Sequence, residues 1–209
     1  FWHSSWFTAI LAHMRTMALL PLLGLLAGAA PAKKAEAPPL PAAPSAKVIH
    51  AAGKASVTGK SGSRPAKAGE AVADGETLKT GAKSSLIAEY PDGSRVKLRA
   101  DSTFKIEVPG EATGIKGGLL SLGSIFARVA KGRNGHFRMR TQTAVAAVRG
   151  TEFFTAFGRH GDAGRDLWVC VGKGAIDLSA TGSPDAMVVK EGEGVLLPGG
   201  KRTTKAQRY

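Results

Sequence analysis

The stretch SSLIAEYPDGSRVKLR, residues 84–99, decides the fold class of this chain. Apolar side chains recur at every second position on both sides of the turn sequence Pro91-Asp92-Gly93. A period of two is typical of strands, because successive side chains point to opposite faces, and glycine tolerates the positive φ of a tight turn. The stretch therefore predicts a β-hairpin with inward Leu86, Ala88, Tyr90, Val96 and Leu98 and outward Arg95, Lys97 and Arg99.

The same alternation continues along the chain, interrupted by turn sequences at roughly the 8–12-residue spacing of antiparallel sandwiches. No segment after residue 47 carries a helical stripe, and many of the 27 glycines stand between short apolar runs. We therefore predict an all-β domain over residues 47–200, an antiparallel sandwich or roll of about a dozen short strands. The later predicted strands are 103–108, 124–129, 136–140, 144–148, 152–157, 167–171, 175–179, 187–190 and 194–197.

The N-terminal part is typical of an export signal. Residues 14–32 combine Arg15, an apolar run and the small-residue site Ala30-Pro31-Ala32, as secretory signal peptides do. We expect Met14 to be the true start, residues 1–13 to be a mis-assigned upstream extension, and the protein to be periplasmic or secreted. Cysteine does not follow the run, which argues against a lipoprotein. The alternative is an uncleaved membrane anchor, although the run is shorter than the roughly 20 residues of a spanning helix.

Two further segments flank the predicted domain. Residues 33–46 are rich in proline and alanine and are expected to form a linker. Residues 201–209 form a basic tail that we expect to be disordered.

The net charge of +13 favours binding of polyanions, and the candidates are nucleic acid, anionic lipid headgroups and acidic polysaccharide. Outward-facing cations would form a positive stripe if their strands are neighbours; the alternative is a solvated face. Arg149 and Glu152 would either form an ion pair at a strand end or contact the partner. Nucleic acid is disfavoured, because export separates the protein from it and base-stacking aromatic residues are not interleaved with the charge. The candidate partner-binding residues are Arg95, Lys97, Arg99, Arg128, Arg138, Arg140, Arg149 and Glu152.

Catalytic and metal-binding motifs are missing from the sequence. The five histidines lack metal-ligand spacing, and neither a CxxC pair nor a G-x-S-x-G elbow occurs. We therefore expect no enzyme activity, no metal site and no cofactor. The single cysteine, Cys170, lies in an apolar run and is predicted to be a small buried hydrophobic residue.

Between residues 48 and 200 several sequence elements follow one another in a specific order: VADGETLKTG (72–81), SSLIA (84–88), DGSRVKL (92–98), GLLSLGSIF (118–126), HFRMRT (136–141), AVAAVRGTEF (144–153), 169–176 and 195–199. The most specific of them is Val148-Arg149-Gly150-Thr151-Glu152-Phe153. With these elements the chain resembles the periplasmic domain of the FecR family. The resemblance implies an all-β periplasmic domain that senses the occupied state of an outer-membrane transporter, together with a cytoplasmic N-terminal segment that controls a sigma factor linked to iron uptake.

The chain departs from the family plan, because a cytoplasmic segment and a mid-chain spanning helix are not evident in it. We therefore expect a stand-alone exported binding or signal-sensing module for a protein partner. Two alternatives stay open: an envelope structural protein that holds anionic polysaccharide or lipid through its basic face, and an inner-membrane-anchored sigma-factor regulator. The sequence does not decide the oligomeric state.

Overall fold

The computed structural model describes residues 44–108, 114–131, 136–158, 165–183, 185–200 and 206–208. The predicted upstream extension 1–13, the export signal 14–32 and nearly all of the linker 33–46 lie outside these residues. No helix within the described ranges is long and apolar enough to cross a membrane.

The described residues form 17 strands joined by short turns, with one 3-10 turn at Pro198–Gly200. In chain order the strands are β1 Ala46–Ala52, β2 Ala55–Gly59, β3 Gly62–Pro65, β4 Ala71–Val72, β5 Thr77–Thr80, β6 Ser85–Glu89, β7 Arg95–Leu98, β8 Thr103–Glu107, β9 Lys116–Arg128, β10 Phe137–Arg140, β11 Ala144–Val148, β12 Glu152–Phe157, β13 Leu167–Lys173, β14 Ala175–Ala180, β15 Ala186–Lys190, β16 Glu193–Leu197 and β17 Gln207–Arg208.

These strands make two sheets that share one strand. Sheet A has the order β4-β1-β6-β7-β9-β12-β13-β16-β17. Sheet B has the order β3-β2-β5-β8-β9-β10-β11-β14-β15. Every pairing between described strands is antiparallel except that of β9 with β10. The architecture is therefore an antiparallel sandwich with a single parallel contact.

The long strand β9 passes from one sheet to the other at Gly123. Its first half pairs with β8 and β10 in sheet B, and residues from Gly123 onward pair with β12 in sheet A. Gly123 has a φ of +95°, and a Cβ there would lie 2.4 Å from the Oγ of Ser102. Because only glycine combines that φ with that close approach, residue 123 determines where the chain changes sheets.

The core lies between the facing sides of the two sheets. Its largest fully buried side chains include Tyr90, Phe104, Phe137 and Phe153. The Tyr90 hydroxyl donates to the carbonyl of Gly117 at 2.6 Å, and the ring meets Phe137 edge-on at 5.6 Å. Burial raises the pKa of Tyr90. Each such side chain contributes about 1.5–3 kcal/mol to folding, as far as apolar burial alone is concerned.

The predicted all-β, antiparallel fold is confirmed, and two details differ. Seventeen strands form instead of about a dozen, because β1 to β5 and β17 were not predicted, and β9 begins eight residues before the predicted Ser124. The tail was also expected to be disordered, but its residues Gln207–Arg208 pair with β16.

Candidate functional site

Four of the predicted partner-binding cations converge on the outer face of sheet A. β7 lies between β6 and β9, and this order makes Arg95 and Arg128 direct cross-strand partners. Directly opposed residues lie about 4.5–5.5 Å apart at Cα, where like charges repel each other. Lys97 is one position further along the same face of β7, and Arg99 follows the end of that strand.

Two glutamates on the flanking strands offset this repulsion. Glu89 of β6 accepts from the Nε of Arg95 at 2.5 Å, and Glu152 of β12 accepts from the Nε of Arg128 at 2.8 Å. Both guanidinium side chains stay more than half exposed, at 55% and 67%. Glu152, one of the predicted site residues, therefore stabilises the arginine pair. In the cross-strand row Glu89–Arg95–Arg128–Glu152 the two outer carboxylates neutralise the charges of the two central guanidinium groups.

Lys97 and Arg99 supply the unbalanced charge of this face. Neither is in an ion pair with another described residue. The guanidinium of Arg99 lies 6.0 Å from the ring centroid of Phe154, at the outer range of a cation–π contact. The face therefore has a net positive charge, held by two solvent-exposed side chains.

A shallow depression of about 260 Å³ lies among these side chains and is called the cationic groove below. Its floor contains apolar side chains and its walls are mostly charged. Such a groove can bind carboxylates while covering a small apolar surface, because arginine matches carboxylate geometry. The lining residues are Ile87, Arg95, Lys97, Phe126, Arg128 and Glu152.

An apolar patch adjoins the cationic groove on the same face of sheet A. We define the patch as Phe126, Phe154, Trp168 and Leu196. Phe126 and Phe154 are cross-strand partners, and so are Trp168 and Leu196. The sequence alternation places Phe126 and Phe154 outward, but it did not single out the patch, because only the strand order brings β9, β12, β13 and β16 side by side.

Arg138 and Arg140 lie elsewhere. Both project from β10 in sheet B, and Arg140 pairs with Glu107 at 3.2 Å. The six outward cations therefore do not form one stripe but fall on the outer faces of two sheets. Arg149 is exposed in the turn after β11, next to Gly150, so the structure does not group it with the cationic groove.

Cys170 was predicted to be buried in the core, and this prediction is wrong. Its side chain lies on the outer face of β13, half-buried, beside Phe154 of β12. Partial burial raises the pKa of the Cys170 thiol, and a hydrogen bond with Trp168 acts in the opposite direction. At neutral pH the thiol is therefore less nucleophilic than an unperturbed cysteine, although its partial exposure leaves it accessible to alkylating reagents.

Within the described residues no three His, Cys, Asp or Glu side chains cluster as metal ligands do. Another surface depression, between β2, β3 and β5, has a volume of about 630 Å³. Arg64 in its wall is bound to both Glu70 and Glu76.

The part of the chain that contains the cationic groove matches a known protein family. Residues 76–177 match the family model described as FecR protein. These residues are a FecR domain. The FecR match is narrower than the expected 48–200 and runs from just before β5 into β14. The matched region contains every residue that lines the cationic groove. The strands β1 to β4 and β15 to β17 lie outside the match and extend the same two sheets.

Solved structures share this FecR-containing fold. Two crystal structures, at 2.50 and 1.65 Å resolution, are described as a candidate anti-sigma factor from Parabacteroides distasonis ATCC 8503. Each has a TM-score of 0.54 and 17% identity, covering 63% of this chain and 59% of theirs. At that identity the likeness concerns the fold alone. No match was found among curated proteins. The match to the FecR family model supports a signal-sensing role.

Proposed function

We propose that this protein is an exported, non-enzymatic FecR-domain protein that senses a signal by binding an acidic protein partner in the cell envelope. The observation that carries the proposal is the cationic groove, in which Arg95 and Arg128 are held side by side next to Lys97, with Arg99 following on the same face. Electrostatic complementarity of this kind speeds association with an acidic surface and selects against basic ones.

Export is supported by the sequence of residues 14–32. Cleavage after Ala29, Ala30 or Ala32 would leave the proline- and alanine-rich segment 33–46 near the start of the mature chain. Fractionation of cells that produce the tagged protein, followed by N-terminal sequencing, tests this part. A mature N-terminus at residues 30–33 in the periplasm or medium would support export; an intact cytoplasmic chain would contradict it.

Partner binding is tested at Lys97 and Arg99, because neither residue holds the fold together through an ion pair in the described part of the chain. A photo-crosslinking amino acid at Ile87 would report on the cationic groove in cells. Lys97→Glu combined with Arg99→Glu should reduce the crosslinked protein partner about tenfold or more and should make the remainder insensitive to salt.

The matched control is Arg138→Glu combined with Lys190→Glu, which makes the same charge change at two exposed positions of sheet B that have no ion pair with another described residue. This control should crosslink as the unmodified chain does, with both variants showing an unchanged unfolding midpoint. Equal losses in the two variants would mean that net charge, not the cationic groove, attracts the partner. Binding to acidic polysaccharide without any crosslinked protein would support the envelope structural alternative.

A further inference from the structure

The apolar patch is an unusual feature for the middle of a solvated sheet face. Within the described residues five large apolar side chains are well exposed, and three of them belong to this patch: Phe126 at 44%, Trp168 at 47% and Leu196 at 48%. Single exposed apolar residues are normal, whereas a contiguous group marks an interaction site.

The patch and the cationic groove are two halves of one surface. Phe126 belongs to both, and Arg99 connects them by lying over Phe154. From β7 to β16 the face crosses four strand spacings, which is about 19 Å. An extended peptide crosses that distance in roughly six residues. One short segment can therefore touch the cations with one end and the apolar patch with the other.

A second copy of the chain does not fit this surface. Both copies would bring Arg95, Lys97, Arg99 and Arg128 to the contact, and the chain as a whole carries a net charge of +13. The segments that flank the domain in this sequence fit no better, because residues 33–34 are both lysine and residues 201–209, KRTTKAQRY, are basic. Like charges at such a contact cost free energy, so the occupant has to come from an acidic molecule.

A membrane surface fits less well than a protein segment. Phe126 and Phe154 of the patch lie on the same strands and the same face as Arg128 and Glu152, two residues away, and Arg95 and Glu89 continue that row of ion pairs. Inserting the apolar patch into lipid would bring these charges toward the acyl boundary, where burying charge is costly. A protein segment can instead match each half of the surface separately.

We infer that the surface formed by the cationic groove and the apolar patch docks an extended protein segment in which acidic residues are followed, within about six positions, by large apolar ones. This inference rests on the proposed function and specifies the partner's chemistry. The acidic end pairs with Lys97, Arg99 and the arginine pair, and the apolar end covers Phe154, Trp168 and Leu196.

The test uses the full chain and three synthetic peptides of about ten residues, a length that spans the face. The first joins a block of Glu and Asp to a block of Leu and Phe; the second replaces the apolar block with Ser and Gly; the third replaces the acidic block with Lys. Affinity is measured by fluorescence anisotropy. Cys170, the single cysteine of the sequence, lies beside Phe154 and reports occupancy through its rate of alkylation.

The first peptide should bind at least about tenfold more tightly than either of the others and should slow alkylation of Cys170. Trp168→Ser or Leu196→Ser should each weaken it about tenfold, the typical effect of removing an interface anchor. Val188→Ser is the matched control, because Val188 is equally exposed, at 52%, but lies on sheet B; it should bind normally.

Three results would overturn the inference, each in a distinguishable way. Equal binding of the first and second peptides would show that the apolar patch does not contribute to docking, while the proposed binding of an acidic partner would stand. No binding of any acidic peptide, with Lys97→Glu also without effect, would count against both. Stronger binding to vesicles of anionic lipid than to the first peptide, lost on Trp168→Ser, would assign the surface to membranes.

Discussion

At the scale of the residue, Thr155 is a buried polar group without compensation. It faces the core from β12, is fully buried, and its Oγ1 has no hydrogen-bond partner among the described residues. Thr155→Val keeps the shape and removes the desolvated hydroxyl, so the free energy of unfolding should stay unchanged or rise by up to ~1 kcal/mol. Chemical denaturation measures this change.

Thr151→Val is the control for that prediction. Thr151 is equally buried, but its hydroxyl donates to the carbonyl of Ala175 at 2.9 Å. Its replacement leaves that acceptor unpaired and should cost about 1–3 kcal/mol. If both substitutions destabilise the protein alike, the Thr155 hydroxyl has a partner after all.

Glu76 and Arg64 form an ion pair that stabilises the fold. Glu76 accepts from Nη1 and Nη2 of Arg64 at 2.6 and 2.9 Å, and these bonds hold the pKa of Glu76 below its ordinary value of 4.5. A lowered pKa contributes stability above pH 4.5 that is lost as the pH falls through the folded-state pKa. Glu76→Gln should therefore destabilise the protein by about 1–3 kcal/mol at neutral pH.

The pH dependence separates this effect from a packing defect. The difference between the original chain and Glu76→Gln should shrink as the pH is lowered below 4.5, because protonation removes the same charge. Glu191→Gln, in an exposed turn, serves as the control and should change little at any pH. A difference that stays constant down to pH 3 would contradict the assigned role of the ion pair.

At the scale of the element, β9 depends on one glycine. Gly123→Ala places a methyl group where the Cα of Ser102 would be 2.5 Å away and forces an unfavourable φ. We expect a loss of about 3 kcal/mol or more, since a positive φ and a backbone clash add. Gly172→Ala in β13 is the control, because its nearest contact, the Glu152 carbonyl, is at an ordinary 3.6 Å. Thermal unfolding of the two variants should differ clearly; similar midpoints would mean that β9 can change sheets without residue 123.

The elements also show what the sequence could and could not predict. β6, β7 and β8 were predicted to within one residue, because their apolar and charged positions alternate without interruption. The first half of β9 was missed, because Gly117-Gly118 and Leu119-Leu120 hide the period of two. The outward direction of Arg95 and Arg128 followed from alternation, but their direct pairing did not. Register between strands distant in sequence depends on the whole sheet, so the arginine pair and the apolar patch became visible only in the structure.

At the scale of the whole molecule, the shared strand couples the two sheets. The first half of β9 is central in sheet B and the second half is central in sheet A, and the inner faces of both sheets contribute to one continuous core. If β9 left either sheet, its two neighbouring strands in that sheet would lose their hydrogen-bond partners. Unpaired backbone groups in the buried middle of a sheet are costly. The sandwich should therefore behave as one cooperative unit rather than as two independent layers.

Hydrogen exchange followed by mass spectrometry in increasing denaturant checks this cooperativity. Amides of β7 and β12 in sheet A and of β8 and β10 in sheet B should become exchangeable at one common midpoint. Leu120→Ala, in the half of β9 that belongs to sheet B, removes a fully buried side chain and should cost about 2–5 kcal/mol. Leu120→Ala should lower the exchange midpoint of β7 and β12 in sheet A as much as that of β8 and β10 in sheet B, because β9 cannot leave one sheet without disturbing the other. A variant in which β8 and β10 exchange early while β7 and β12 keep their original midpoint would show that the sheets unfold separately, and that β9 connects them without coupling them.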